Sequence, residues 1–220
     1  MTIERPAESS TAEDLNIFMV CSEVRADALS ELDDRLSVRF GAPTDFDTWK
    51  AFPFDTAEDA EAYDTYMTTF FESAYGNKSK EYWAGTRFVC EPDGTPIATG
   101  GVWQAFGELT TLQWIKTRAD HEGRGVGRAL MSVLMQSITR QQFPVFLHTQ
   151  AGSFRAIKLY SDLGFAIITD TVPGPRPNQY AEALDYLAAK MPMEAFANLR
   201  FAGAPPQLLD VLARHDTVEF

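Results

Sequence analysis

Residues 121–130 read HEGRGVGRAL: three glycines fall within five positions, Arg124 and Arg128 stand among and after them, and an apolar, helix-forming stretch follows. Gly123, Gly125 and Gly127 remove Cβ atoms where the chain turns into a helix, so the backbone can take positive φ angles and approach a ligand closely. The first N–H groups of such a helix have no internal partners and carry the positive end of its dipole. Together these features make an anion site, most often for phosphate or pyrophosphate. Arg124 and Arg128 would add charge at its rim. A P-loop would need Lys and then Ser or Thr after its last glycine, and none follows. A dinucleotide fingerprint needs G-x-G-x-x-G after the first strand of a βαβ unit, whereas the spacing here is G-x-G-x-G. The loop is therefore expected to hold a phosphorylated ligand with its backbone. Of the other reactive types, His148 has the pKa range for proton transfer, but its place late in a strand suits a buried structural histidine. His121, inside the loop, is expected to face solvent. Cys21 and Cys90 lack metal-like spacing and are read as free thiols, and no metal is expected.

A strand must deliver the chain to this loop and a helix must leave it. ELTTLQWIKT (108–117) is the predicted strand and RALMSVLMQSITRQ (128–141) the helix. Upstream, TRFVCE (86–91) and PIATGGVWQAF (96–106) read as strands joined at Asp93-Gly94, a strong hairpin signal. Downstream come a strand at 144–149 and a helix at 154–164 closed by a C-cap glycine, Gly164. FAIITDTV then gives one more strand, which PGPRP terminates. LSVRF (36–40) alternates as a half-buried strand should. Asp45 is expected to cap a short helix containing Trp49. The segment 57–75 carries Ala60, Tyr63, Met67, Phe70 and Phe71 on one helical face. Nearer the N-terminus, Thr11 opens a capping-box-like TAED. Leu15, Phe18, Met19, Ala26, Leu29 and Leu32 follow near helical spacing, which predicts one helix or two over 12–34. Residues 1–10 are polar and aperiodic, and are expected to be disordered. Helices are predicted again at 179–190, 193–200 and 206–214. The resulting order is a mixed sheet, antiparallel hairpins first and a β–α–β crossover in its second half.

LQWIKTRADHEGRGVGRALMSVLM resembles the acetyl-CoA-binding segment of the GNAT superfamily of N-acetyltransferases, in which a splayed strand is followed by Q/R-x-x-G-x-G/A and a helix. The six loop residues here are Glu122, Gly123, Arg124, Gly125, Val126 and Gly127, with glutamate where the family usually has Gln or Arg. SFRAIKLYSDLGF (153–165) resembles the family's N-x-x-A-x-x-x-Y-x-x-x-G-F stretch; Ala156, Tyr160, Gly164 and Phe165 match, and Ser153 replaces Asn. The resemblance spans about residues 36–172 and is strongest over 108–169. It implies an α/β (α+β) fold: a GNAT-like mixed, largely antiparallel sheet with a splayed central strand pair flanked by helices. Extra N- and C-terminal helices would be added to it. Residues 1–35 would be an N-terminal extension (tail plus helix), 36–172 the catalytic domain, and 173–220 a C-terminal helical extension packed on it.

The reaction so implied is acetyl transfer from acetyl-CoA to an amine, in which the amine attacks the thioester carbonyl and the CoA thiolate leaves. That chemistry needs a neutral amine, a donor to the oxyanion and a proton for the sulfur. By family position, backbone groups of Ile115, Lys116 and Thr117 would bind the pantetheine arm, and the amides of Gly123 to Arg128 the pyrophosphate. Ser153 and Ala156 would lie by the cofactor, and Tyr160 would protonate the thiolate. Many members place a basic carboxylate on the splayed strand; Glu108 is the acidic residue available there. Trp49, Tyr63, Tyr66, Phe70 and Trp103 could line an acceptor cleft with Glu58 or Asp64 at its mouth, or could equally be core.

The net charge of −12 opposes a nucleic-acid partner and suits a small cationic amine. No apolar run approaches the roughly 18 residues a membrane span needs, and a basic n-region with an apolar h-region is missing from MTIERPAESSTAEDL, so a cytoplasmic protein is expected. Two other readings remain open: a protein or peptide N-acetyltransferase, and a non-catalytic acetyl-CoA-binding module. The terminal helices could form a homodimer interface or equally pack on their own sheet.

Overall fold

The computed structural model describes residues 11–220, so the expectation for residues 1–10 lies outside the described residues. The strands hydrogen-bond in the order β2-β3-β4-β5-β6-β1-β7-β8. Pairing is antiparallel for β2/β3, β3/β4, β1/β6 and β1/β7, and parallel for β5/β6 and β7/β8. The chain divides into two compact units, each with its own core.

The first unit is built from Ser30–Trp103 and Gln113–Ser137. It holds β2 (Ser37–Phe40), β3 (Thr86–Cys90), most of β4 (Pro96–Ala105) and the second half of β5 (Leu109–Thr117). Asp93-Gly94 makes the predicted hairpin, with Gly94 at φ 88°. The segment predicted as one helix over 57–75 is broken at Tyr63 into α2 (Ala57–Ala62) and α3 (Asp64–Tyr75), after α1 (Phe46–Ala51). A further helix, α4 (Ser79–Gly85), follows where the sequence signals only a stop; seven residues are too few for periodicity to show. Trp49, Phe70, Phe71, Tyr75, Tyr82, Trp83 and Trp103 are all buried. Their rings meet mostly edge-to-face, the geometry the aromatic quadrupole favours. α5 (Val126–Ser137) starts two residues earlier and ends four earlier than expected. Its Val126, Ala129, Leu130 and Leu134 form the buried stripe. A Cβ at Gly100 of β4 would meet Ile115 Cδ1, the end of a side chain that would have to shift to admit it.

The second unit comprises residues 11–29, Gln104–Leu112 and Ile138–Phe220. Here the N-terminal prediction fails. Residues 12–34 are not helical in the α sense: a 3₁₀ turn at Ala12–Asp14 leads into β1 (Asn16–Cys21), and another 3₁₀ turn covers Ala26–Ala28. The continuous apolar run Ile17–Cys21 is the reason, since a strand with partners on both sides and cover on both faces needs every side chain apolar. Met19 faces Leu147 of β6 (Val145–Gln150) on one side and Ile167 of β7 (Ala166–Ile168) on the other. The first half of β5 pairs with β6 from Thr110↔Val145 to Leu112↔Leu147, which is the predicted β–α–β crossover. α6 (Phe154–Leu163) ends at Gly164, whose φ of 110° is the left-handed C-cap conformation. α7 (Tyr180–Lys190), α8 (Met193–Ala197) and α9 (Pro206–Leu212) account for the C-terminal helices. A two-residue strand, β8 (Phe201–Ala202), lies between α8 and α9 and has no sequence signal of its own. Both cysteines are free and buried. No helix among the described residues is long and apolar enough to cross a membrane.

Candidate active site

In the first unit, the ladder between β5 and β6 having ended at Leu112, the next residues run on to Thr117 with an abrupt change of backbone. Trp114 sits at φ 54°, in the left-handed region that bulky side chains avoid. It is held by a buried polar chain: its indole Nε1–H donates to Tyr75 Oη at 2.9 Å, and the Tyr75 hydroxyl donates to Gln113 Oε1. Sequence reasoning missed this chain, because Tyr75 lies nearly forty residues before its partners. Ile115, Lys116 and Thr117 are half-buried. The Lys116 ammonium is engaged by Asp55 at 2.8 Å, so a ligand along this stretch would meet its backbone rather than its charge.

The strand is followed by a compact turn. Arg118 N–H donates to Ile97 O, and a 3₁₀ turn spans Ala119–His121. His121 does not face open solvent as expected. Its Nδ1 lies 2.8 Å from Asp120 Oδ1 and its Nε2 lies 2.8 Å from Glu91 Oε1. Asp120, and after it Glu91, raise its pKa above the ordinary histidine value. Glu122 is exposed, and Gly123 and Gly125 follow at φ 73° and 83°. A Cβ at either glycine would meet no protein atom within 4 Å. Their demand is thus conformational, and the face they leave bare is open. α5 begins at Val126, and Ala129 N–H is the donor that reaches back to Gly125 O. The amides of Val126, Gly127 and Arg128 therefore belong to the turn whose N–H groups a helix leaves without intrahelical partners. Arg124 is exposed and Arg128 half-buried.

The aromatics expected at an acceptor cleft divide. Trp49, Phe70 and Trp103 are packed core, whereas Tyr63 and Tyr66 are half-exposed. Asp64 is paired with Lys50 at 2.6 Å, and Glu58 is exposed.

The second unit carries the remaining residues. Tyr160, on α6, is 4 % exposed, and its ring lies 6.0 Å from that of Phe165. Burial raises its pKa well above the ordinary phenol value. Ser153 is exposed at the start of α6, and Ala156 is half-buried one turn on. Glu108 sits in the turn before β5, where Arg214 Nη2 donates to its Oε2 at 2.8 Å. That hydrogen bond holds its carboxyl below the usual carboxylate range. Its surroundings thus oppose the basic role expected of it: a carboxylate stabilised as an anion is a poorer proton acceptor. His148 Nε2–H donates to Asn16 Oδ1 at 2.8 Å, and the ring packs against Phe18, as a structural histidine would.

The family model described as acetyltransferase (GNAT) matches residues 47–165, more than half of the chain. Among solved structures, a tandem GNAT protein from the clavulanic acid biosynthesis pathway is similar at 13% identity and a TM-score of 0.52, over 70% of this chain and 50% of that one. A GNAT-family acetyltransferase from Colwellia psychrerythraea is similar at 16% identity and a TM-score of 0.50, over 70% and 53%. A Drosophila protein is similar at 18% identity and a TM-score of 0.50, over 69% and 47%. The matched region thus spans about half the length of each of those chains, and at these identities the likeness is one of fold. No curated protein sequence matches the chain.

Proposed function

The chain belongs to the acetyltransferase (GNAT) family, and from that premise we propose that it transfers acetyl from acetyl-CoA to the primary amine of a small molecule by direct attack. The glycine loop carries the reading. Two glycines in left-handed conformation, with open space where side chains would stand, run directly into the N-terminus of a twelve-residue helix. A backbone cradle of this kind suits a pyrophosphate.

In this reading the amides from Gly123 to Arg128 hold the pyrophosphate, and Arg124 and Arg128 add charge. Glu122 contributes no side-chain contact, since a carboxylate would repel the anion. The backbone of Ile115, Lys116 and Thr117 takes the pantetheine arm as an added strand would be taken. Ser153 and Ala156 are assigned to the cofactor by their place on α6, and Tyr160 to the departing sulfur.

Tyr160 keeps its proton throughout the physiological range because burial disfavours the phenolate. The same burial makes it a weaker acid than a free tyrosine. Its proton must therefore move as the carbon–sulfur bond breaks, when the sulfur is most basic, rather than before. With Glu108 occupied by Arg214, no protein base is assigned, and the amine enters neutral from water. The net charge of −12 favours an acceptor that carries a further cationic group.

The test is release of CoA thiol from acetyl-CoA against a panel of small amines, with the amide product identified by mass. Amine-dependent release is expected, rising with pH until the amine's own pKa is passed. Release with peptides alone would favour a protein acetyltransferase. Donor binding without release by any amine would leave a non-catalytic binding module.

A further inference from the structure

Glu91 begins the β3–β4 hairpin and His121 ends the turn that enters the glycine loop, thirty residues later, yet their side chains meet at 2.8 Å. An ionised carboxylate only accepts hydrogen bonds, and a neutral imidazole has one N–H to give. The ring of His121 faces carboxylate oxygens at both nitrogens, Asp120 at Nδ1 and Glu91 at Nε2. Only the imidazolium can donate to both.

Each anchor is itself fixed. Glu91 N–H donates to Thr95 O at 2.9 Å, and Glu91 O accepts from Gly94 N–H at 2.9 Å, which closes the hairpin. On the loop side, His121 N–H donates to Arg118 O at 2.9 Å, and the Arg118 guanidinium reaches Asp120 at 3.3 Å. The His121 side chain is only 14% exposed. One residue separates it from Gly123, the first residue of the loop with a left-handed backbone.

We propose that His121 is a positioning residue: its imidazolium clamps the entrance of the acyl-CoA loop to the β3–β4 hairpin through Glu91. The proposal rests on the reading of that loop as the donor site. The clamp preorganises Gly123–Arg128, so that binding the donor orders less of the chain. The charged groups facing the ring are Asp120 and Glu91, which favour the proton, and Arg124, which opposes it. Arg118 acts on Asp120, and Arg35 acts on Glu91 from the segment before β2. Because the folded-state pKa of His121 lies above its ordinary value of 6.5, the clamp is complete below that value. It is lost as pH rises through the raised pKa, and donor affinity falls with it.

The experiment is calorimetric titration of the full chain with dephospho-CoA across pH. That ligand lacks the 3′-phosphate, whose second ionisation near about 6 would overlap the imidazole. In the wild type Kd should weaken about fivefold from low to high pH, the scale of one solvent-screened ion pair. His121→Gln should give a flat profile near the wild-type high-pH value. Glu91→Gln should move the midpoint down, and an NMR titration of the His121 ring should show the same move. Identical pH profiles for wild type and His121→Gln, with the ring midpoint unmoved by Glu91→Gln, would overturn the clamp while leaving the donor site standing. No binding by the wild type at any pH would overturn the loop reading, and the clamp with it.

Discussion

Tyr160 is asked to give up a proton from a place where burial holds it tightly. Tyr160→Phe should therefore lower kcat about 100-fold, within the usual range for one general acid, while Kd for acetyl-CoA stays within about twofold. Glu108→Gln, in the same assay of thiol release, should leave kcat within about threefold, since Arg214 already occupies that carboxylate. A Tyr160→Phe enzyme at full rate would remove the acid assignment. At this scale the sequence is legible where a residue's type is itself the requirement. Glycines at 123, 125 and 127 announce a backbone of positive φ, and the structure bears this out at the first two, whereas Gly127 lies inside α5. His121 was not legible. Its meaning comes from Glu91, thirty positions away, and only the hairpin's register brings the two together. The chain from Trp114 through Tyr75 to Gln113 was hidden in the same way.

Among the elements, β1 shows how an apolar pattern can mislead. Leu15, Phe18 and Met19 suit a helix when counted with Ala26 and Leu29, but Ile17, Phe18, Met19, Val20 and Cys21 form an unbroken run that leaves no polar face. All five are buried, and the strand between β6 and β7 is what such a run builds. The strands around the loop were legible because turns bound them: Gly94, in the Asp93-Gly94 hairpin, and Gly164 both adopt the positive φ that their positions predict. β8 and α4 were not, being too short to express a period. The loop and α5 act as one element, and that can be tested by moving a methyl group along it. Gly125→Ala forces alanine into the left-handed region and should cost about 1 kcal/mol in chemical denaturation. It should also weaken acetyl-CoA binding. Gly127→Ala, already inside α5, should leave stability unchanged or slightly raised, because alanine is the better helix former. Equal stability for the two variants would mean that the left-handed turn at Gly125 is not required.

Across the whole molecule, a net charge of −12 is an odd setting for a donor that carries phosphates. The long-range field would repel such a ligand, so on the proposed reading its binding would come from short-range groups: backbone amides, the helix terminus, and Arg124 and Arg128. On the proposed reading the same field would attract cationic amines, dividing the work between a local cradle for the donor and a global bias for the acceptor. Family membership says that acetyl transfer is the chemistry to look for, while the acceptor is set by side chains that a shared fold does not dictate. The donor comes first, because every assignment above depends on it. The most direct measurement is calorimetric titration of the full chain with acetyl-CoA, beside dephospho-CoA and longer acyl-CoAs. One site with Kd on the order of micromolar is expected, with a preference among acyl chains and weaker binding by Gly125→Ala. No heat of binding from any of these ligands would contradict it, leaving GRGVG a turn that holds nothing.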